Sequence, residues 1–263
     1  MWHCECDSYL TSSIFHLFSA TDRRTTPPRL GAVYVLLEGG KPIGTAFAVQ
    51  CDRMNKLITA GHNIDDTKAT LTIARRVEKD NLGRAINCRV WRKRVEVVCV
   101  NATEDWAVLR LSSSAQFAVE NSIPLCPRSE LEHILASDRF WVVYCPVEAF
   151  TAVGGIPSLE PNISGKEHPM GISLTRKEIY LPMGLWKGCS GGVVVDSRSR
   201  AVAIHLASTN TAETLEEATK KSGGDDKVSE MTSVVNSLTE NHASYTTSRL
   251  ISCCDRLLVA LKR

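Results

Sequence analysis

The sequence lacks a long apolar run, a secretory signal and a strong charge of either sign. No stretch approaches the ~20 consecutive apolar residues that a membrane-spanning helix needs, so we expect no membrane partner. The first residues lack the basic segment and apolar core of a signal peptide, and we therefore expect a cytoplasmic protein. The formal net charge is only +2, so we expect no nucleic-acid partner on electrostatic grounds.

Ten cysteines are present, and without a secretory signal their expected state is the reduced thiol. Cys4 and Cys6 lie beside His3, but no second pair follows at zinc-ligand spacing, so we expect neither a metal nor another cofactor. The basic stretch from Arg75 to Arg94 contains acidic residues and lacks interleaved aromatic residues. That composition favours a solvated hairpin over a nucleic-acid surface.

Short apolar strands separated by turns recur in two parts of the chain. Strands of this length predict closed or sandwiched all-β units. Apolar residues at helix spacing from Leu250 to Leu261 predict a C-terminal helix. The predicted organisation is an irregular lead (1–30), a first β unit (31–118), a connector with a short helix (119–139) and a second β unit (140–263) that contains a surface insertion (209–240).

Small residues surround one serine in the segment Gly188-Cys189-Ser190-Gly191-Gly192, which precedes an apolar run. Glycines let the backbone turn sharply and bring bare N–H groups close to a reacting atom. A serine hydroxyl becomes a good nucleophile only when a base takes its proton and donors stabilise the oxyanion that follows. The N–H groups of Gly188 and Ser190 could form that donor pair. A glycine-rich turn without a catalytic role is the alternative interpretation.

A histidine and an aspartate supply the other two groups that such chemistry needs. His62 lies just past the end of a predicted strand, and Asp105 opens an alternating strand. A buried aspartate can hold an imidazole in the tautomer that accepts a proton from serine. Each residue alone is more often structural, but their order across two β-rich halves predicts a catalytic triad of His62, Asp105 and Ser190.

In these three motifs the chain resembles a trypsin-like (chymotrypsin-fold) serine peptidase. His62 matches the family's T-A-x-H word, Asp105 its D-x-A-x-L word and Ser190 its G-x-S-G-G word, over roughly residues 31–208. The resemblance implies an all-β fold of two six-stranded antiparallel barrels with a C-terminal α-helix, and a triad in the cleft between the barrels. It also implies an oxyanion hole at Gly188 and Ser190, and a protein or peptide substrate.

Two departures make the chain similar to the disulfide-free branches, such as the glutamyl endopeptidases. Asn63 follows His62, and the cysteine pair that brackets this region in the digestive and clotting enzymes is missing. Cys189 precedes Ser190 where those enzymes have an aspartate.

The resemblance also implies which side chain is recognised before the scissile bond. Gly184 occupies the position where a trypsin-like preference would need an acid, so lysine or arginine would find no partner there. His205, on the strand after the serine loop, is similar to the histidine that contacts the substrate side chain in glutamyl endopeptidases. We therefore expect Gly184 and His205 to bind substrate, with a preference for Glu, or Gln, before the cut.

Two other functions remain open at this point. A catalytically inactive module could keep the fold and use the cleft to bind peptides. An esterase of the α/β-hydrolase class would also match G-x-S-x-G, but it needs a strand-to-helix turn and a late histidine. Val193–Val195 continues instead as a strand, and His205 lies close behind the serine. The sequence leaves the oligomeric state open.

Overall fold

The computed structural model describes residues 30–51, 54–67, 69–79, 85–112, 122–145, 162–185, 189–210 and 244–262. These ranges hold thirteen β-strands and two α-helices. The first six strands are β1 (Val33–Glu38), β2 (Lys41–Cys51), β3 (Met54–Thr59), β4 (Leu71–Lys79), β5 (Ala85–Asn101) and β6 (Trp106–Leu111). The others are β7 (Phe140–Tyr144), β8 (Asn162–Glu167), β9 (Gly171–Ser173), β10 (Glu178–Leu181), β11 (Val193–Val195), β12 (Ala201–Asn210) and β13 (Ser244–Leu250). The helices are α1 (Arg128–Ser137) and α2 (Asp255–Lys262).

The first six strands close into an antiparallel barrel in the order β1-β2-β3-β6-β5-β4. Pairing between β1 and β4 completes the ring, which leaves the barrel without a free edge. Residues Val33 to Leu37 of β1 are all buried. Since successive side chains of a strand point to opposite sides of the sheet, both faces of β1 are buried. One face, with Tyr34 and Leu36, belongs to a core cluster made only of barrel residues.

The second unit is a curled antiparallel sheet of seven strands in the order β8-β7-β11-β12-β13-β10-β9. The predicted all-β class is therefore confirmed, as are a closed six-stranded barrel and a C-terminal helix. The second unit differs in detail from the six-stranded barrel that the resemblance implied. Among the described residues, β8 and β9 form its two edges and do not pair with each other.

Strand β13 lies inside this sheet and was not predicted from the sequence. Its buried face carries Thr246 and Ser248, so the segment shows no alternation of apolar residues that would predict a strand. The tail helix is also shorter than the apolar spacing indicated. Leu250 ends β13, and α2 begins only at Asp255, after a 3-10 turn at Ile251–Cys253.

The two units share one apolar core. The outward face of the barrel, with Val35 and Val108, packs in the same cluster as Val193 and Ile204 of the second sheet. Helix α2 adds Leu257 and two neighbouring buried side chains to that cluster. Because this core is common to both units, it holds the barrel and the sheet side by side. No helix in the described ranges is long and apolar enough to cross a membrane.

Candidate active site

His62 and Asp105 meet at one end of the barrel, where two paired strands end together. His62 lies in the 3-10 turn Gly61–Asn63 that follows β3, and Asp105 directly precedes β6. These strands pair with Thr59 opposite Ala107, which brings their flanking residues together. Asp105 adopts a left-handed φ of 54°, a conformation that Asp tolerates better than most residues.

Two groups of His62 bind the Asp105 carboxylate. The backbone N–H of His62 donates to Oδ1 at 2.8 Å, and ring atom Nδ1 lies 3.1 Å from Oδ1 and 2.9 Å from Oδ2. Because a carboxylate only accepts hydrogen bonds, Nδ1 carries the ring hydrogen in the neutral imidazole. This tautomer leaves Nε2 as the acceptor, which is the form that a general base needs.

The same contacts set the charge of both groups. The hydrogen bond to Asp105 raises the pKa of His62 above its ordinary value, although burial acts in the opposite direction. Burial would raise the pKa of Asp105, but the side-chain and backbone hydrogen bonds from His62 outweigh it and hold that pKa below its usual range. Asp105 is therefore an anion at neutral pH, and His62 titrates above the usual histidine range.

Ser190 lies on the loop before β11, and this loop is docked onto the barrel. The Ser190 carbonyl accepts hydrogen bonds from the Thr45 N–H at 2.8 Å and from Asn63 Nδ2 at 3.0 Å. Gly191 follows with a φ of +84°, and its N–H donates to the His205 carbonyl at 2.8 Å. A Cβ at Gly191 would lie 2.0 Å from the Thr45 carbonyl oxygen, so only glycine permits this approach.

The Ser190 hydroxyl donates to Asn63 Oδ1 at 2.9 Å. No hydrogen bond joins this hydroxyl to His62 within the described part of the chain. The structure thus brings His62 and Asp105 into contact and fixes Ser190 to the residue next to His62. Sequence reasoning noted Asn63 only as a substitute for a cysteine. Its contact with Ser190 joins residues 127 positions apart, so it depends on how the two units pack.

The predicted oxyanion hole is described in part. Gly188 lies outside the described residues. Among the described residues no backbone acceptor pairs with the Ser190 N–H. Within the same ranges, no group of three or more His, Cys, Asp or Glu side chains is arranged to hold a metal.

Gly184 follows β10 and His205 lies on β12, both in the second unit. Gly184 is exposed in the segment after β10, and the next residue, Leu185, donates its N–H to the Ser208 hydroxyl at 3.1 Å. His205 is only 2% exposed, and burial lowers its pKa to about 3, helped by the charge of His62. His205 is therefore neutral at physiological pH.

Three polar atoms of β12 and β13 are buried and have no hydrogen-bond partner among the described residues: His205 Nδ1, Ser248 Oγ and Thr246 Oγ1. His205 on β12 is the register partner of Ser248 on β13, and Thr246 lies two residues from Ser248 on the same face. The sequence analysis identified His205 and missed the two hydroxyl residues. The sequence does place these two hydroxyl residues at alternate positions before the predicted C-terminal helix, a spacing that would put both on one face of a strand.

Comparison with protein-family models found no match, and comparison with curated proteins found none either. A search of solved structures found the crystal structure of Deg5. The two chains are 16% identical with a TM-score of 0.49, and the similarity covers 77% of this chain and 88% of that chain. A likeness at this identity and score assigns no function, so the site geometry has to carry the assignment.

Proposed function

We propose that this protein is a serine endopeptidase of the trypsin-like type, from the disulfide-free branch, acting on protein or peptide substrates. The observation that carries the proposal is the hydrogen bond between Asp105 and His62, whose turn Gly61–Asn63 contacts the Ser190 loop. Asp105 orients the imidazole, His62 acts as the base, and Ser190 is the nucleophile.

The proposed reaction proceeds through an acyl-enzyme. His62 Nε2 takes the proton of the Ser190 hydroxyl as a bond forms between Oγ and the scissile carbonyl carbon. The carbonyl oxygen becomes an oxyanion, and the N–H groups of Ser190 and Gly188 are the proposed donors. The C–N bond then breaks, and the imidazolium gives its proton to the leaving amine. Water, deprotonated by His62, attacks the acyl carbon, and the Ser190 oxygen leaves and regains a proton.

We further propose that the side chain before the scissile bond is Glu or Gln, bound between Gly184 and His205. The three buried polar atoms of His205, Ser248 and Thr246 support this specificity. Leaving a buried polar group unpaired costs about 1–3 kcal/mol. A substrate carboxylate or amide would supply the missing hydrogen bonds, whereas Lys or Arg would meet no acidic partner among these residues.

Digestion of a proteome-derived peptide library, read by mass spectrometry, tests both parts. We expect Ser190→Ala and His62→Ala each to lower turnover by several orders of magnitude, and the double variant little further, because such effects are strongly non-additive. Ser129→Ala, which changes an exposed serine on α1, is the matched control and should cut like wild type. Wild-type cleavage by Ser190→Ala would contradict the assignment.

The same library tests specificity. We expect cleavage after Glu or Gln, and His205→Ala should raise KM or lower kcat on those substrates more than on small apolar ones. A profile dominated by Arg, Lys or large aromatic residues would contradict the proposed pocket.

A peptide-binding module without catalysis is the second candidate function. The bond from the Ser190 hydroxyl to Asn63, rather than to His62, favours it. Saturable peptide binding without any cleavage by the folded protein would support this alternative over the peptidase.

A further inference from the structure

The side-chain amide of Asn63 contacts Ser190 at two atoms. Asn63 Nδ2 donates to the Ser190 carbonyl and to Thr59 Oγ1, each at 3.0 Å. Asn63 Oδ1 accepts the Ser190 hydroxyl at 2.9 Å. The two acceptors around Nδ2 fix which way the amide faces, so Oδ1 is the atom presented to the hydroxyl.

The surroundings of Asn63 leave its side chain little room to move. Asn63 is 7% exposed, and a Cβ at Gly44 would lie 2.4 Å from Nδ2, so Gly44 provides the space that the amide fills. Thr59, which anchors Nδ2, is itself held by a 2.7 Å hydrogen bond from its hydroxyl to the Thr45 carbonyl. The amide is therefore a rigid acceptor at a fixed place beside the nucleophile.

We propose that Asn63 is a positioning residue that keeps the Ser190 hydroxyl turned away from His62 until the cleft is occupied. This inference rests on the proposed function and adds a resting state to it. An amide oxygen is not a base that can take the serine proton, so the hydroxyl bound to Asn63 is not activated.

In this proposal, activation is a rotation about the Cα–Cβ bond of Ser190. Its carbonyl stays fixed by the Thr45 N–H and by Asn63 Nδ2, while Oγ moves from one staggered position to another. In the reactive orientation a hydrogen bond to His62 Nε2 replaces the one to Asn63 Oδ1, and the proposal requires the Asn63-bound orientation to be the favoured one at rest. A substrate that fills the space of the resting hydroxyl shifts the population towards the reactive orientation.

The ¹⁵N chemical shift of His62 Nε2 reports which acceptor the hydroxyl uses. Full-length protein labelled at histidine is measured without substrate at a pH where His62 is neutral, and His62→Ala assigns the resonance among the seven histidines. We expect Ser190→Ala to leave the shift unchanged, because the hydroxyl does not bind His62 at rest. In an Asn63→Ala background the freed hydroxyl donates to Nε2, so the resonance moves upfield, and adding Ser190→Ala reverses that movement.

Two outcomes would overturn the proposal: a change of the His62 shift on Ser190→Ala alone, or no Ser190-dependent shift in the Asn63→Ala background. Asn63→Leu fills similar space against Gly44 without an acceptor and serves if Asn63→Ala does not fold. The comparison of wild type with Ser190→Ala needs no Asn63 variant. The readout needs no catalysis, so failure of the peptidase assay and failure of this proposal are separate results.

Discussion

Gly191→Ala should lower the free energy of unfolding more than replacement of a glycine that has open space around it. The φ of Gly191 is +84°, and an added Cβ would lie 2.0 Å from the Thr45 carbonyl oxygen and 2.4 Å from Thr59 Oγ1. Neither atom can move aside easily, because Thr59 Oγ1 donates a hydrogen bond to the Thr45 carbonyl. The serine loop must therefore move away from the barrel.

The magnitude follows from two contributions. The left-handed conformation costs an L-residue roughly 1–2 kcal/mol. Displacing the loop also removes the two hydrogen bonds to the Ser190 carbonyl, from Thr45 and Asn63, at about 1 kcal/mol each. We expect the free energy of unfolding to fall by about 3–4 kcal/mol in total.

Gly40→Ala is the matched control, because Gly40 has a φ of +86° but nothing within 4 Å of an added Cβ. Urea unfolding of both variants should show a loss of about 1–2 kcal/mol for Gly40→Ala and a further ~2 kcal/mol for Gly191→Ala. Equal losses in the two variants would refute the close docking of the serine loop on the barrel.

Three further predictions concern charge. The kcat/KM of peptide hydrolysis should rise with pH through an apparent pKa above 6.5, because the base must be neutral and the hydrogen bond to Asp105 raises the pKa of His62. Asp105→Asn should lower that pKa and reduce kcat by about 10⁴-fold. An unchanged pH profile in this variant would contradict the pairing of His62 with Asp105. KM for Glu substrates should rise with pH while KM for Gln substrates stays flat, because burial lowers the pKa of His205 to about 3 and a neutral, desolvated site binds the charged carboxylate more weakly than its protonated form. Parallel pH profiles would argue against contact with His205. A double-mutant cycle of Glu104→Gln with Lys177→Met, measured by urea unfolding, should give a coupling free energy of about 0.5–1 kcal/mol, as expected for a partly exposed ion pair between the barrel and the second sheet. Zero coupling would show that this ion pair does not stabilise the contact between the two units.

Much of the barrel could be predicted from the sequence, because β1, β2, β3 and β6 are apolar and a Gly39-Gly40 turn separates the first two. The same pattern placed His62 and Asp105 at strand ends, and pairing of β3 with β6 brings them together. Strand β13 could not be read in this way, since Thr246 and Ser248 are polar yet point into the second unit.

The part of the candidate site that lies between the two units was beyond sequence reasoning. Asn63 meets Ser190 only because Gly191 lets the serine loop approach the barrel, and the sequence gives no measure of that distance. The polar region around His205 likewise depends on the register of β12 against β13. Local patterns predict which residues end a strand, whereas contacts between distant segments follow from the packing of the whole chain.

Covalent labelling of Ser190 tests the central claim most directly. A fluorophosphonate forms a bond from phosphorus to a serine oxygen that has lost its proton to a base, and fluoride leaves. We expect the folded protein to gain one phosphonyl group, located by mass spectrometry on Ser190, and expect His62→Ala and heat-unfolded protein to gain none. A folded wild-type protein that leaves Ser190 unmodified, or that is modified equally well without His62, would contradict the assignment of Ser190 as an activated nucleophile.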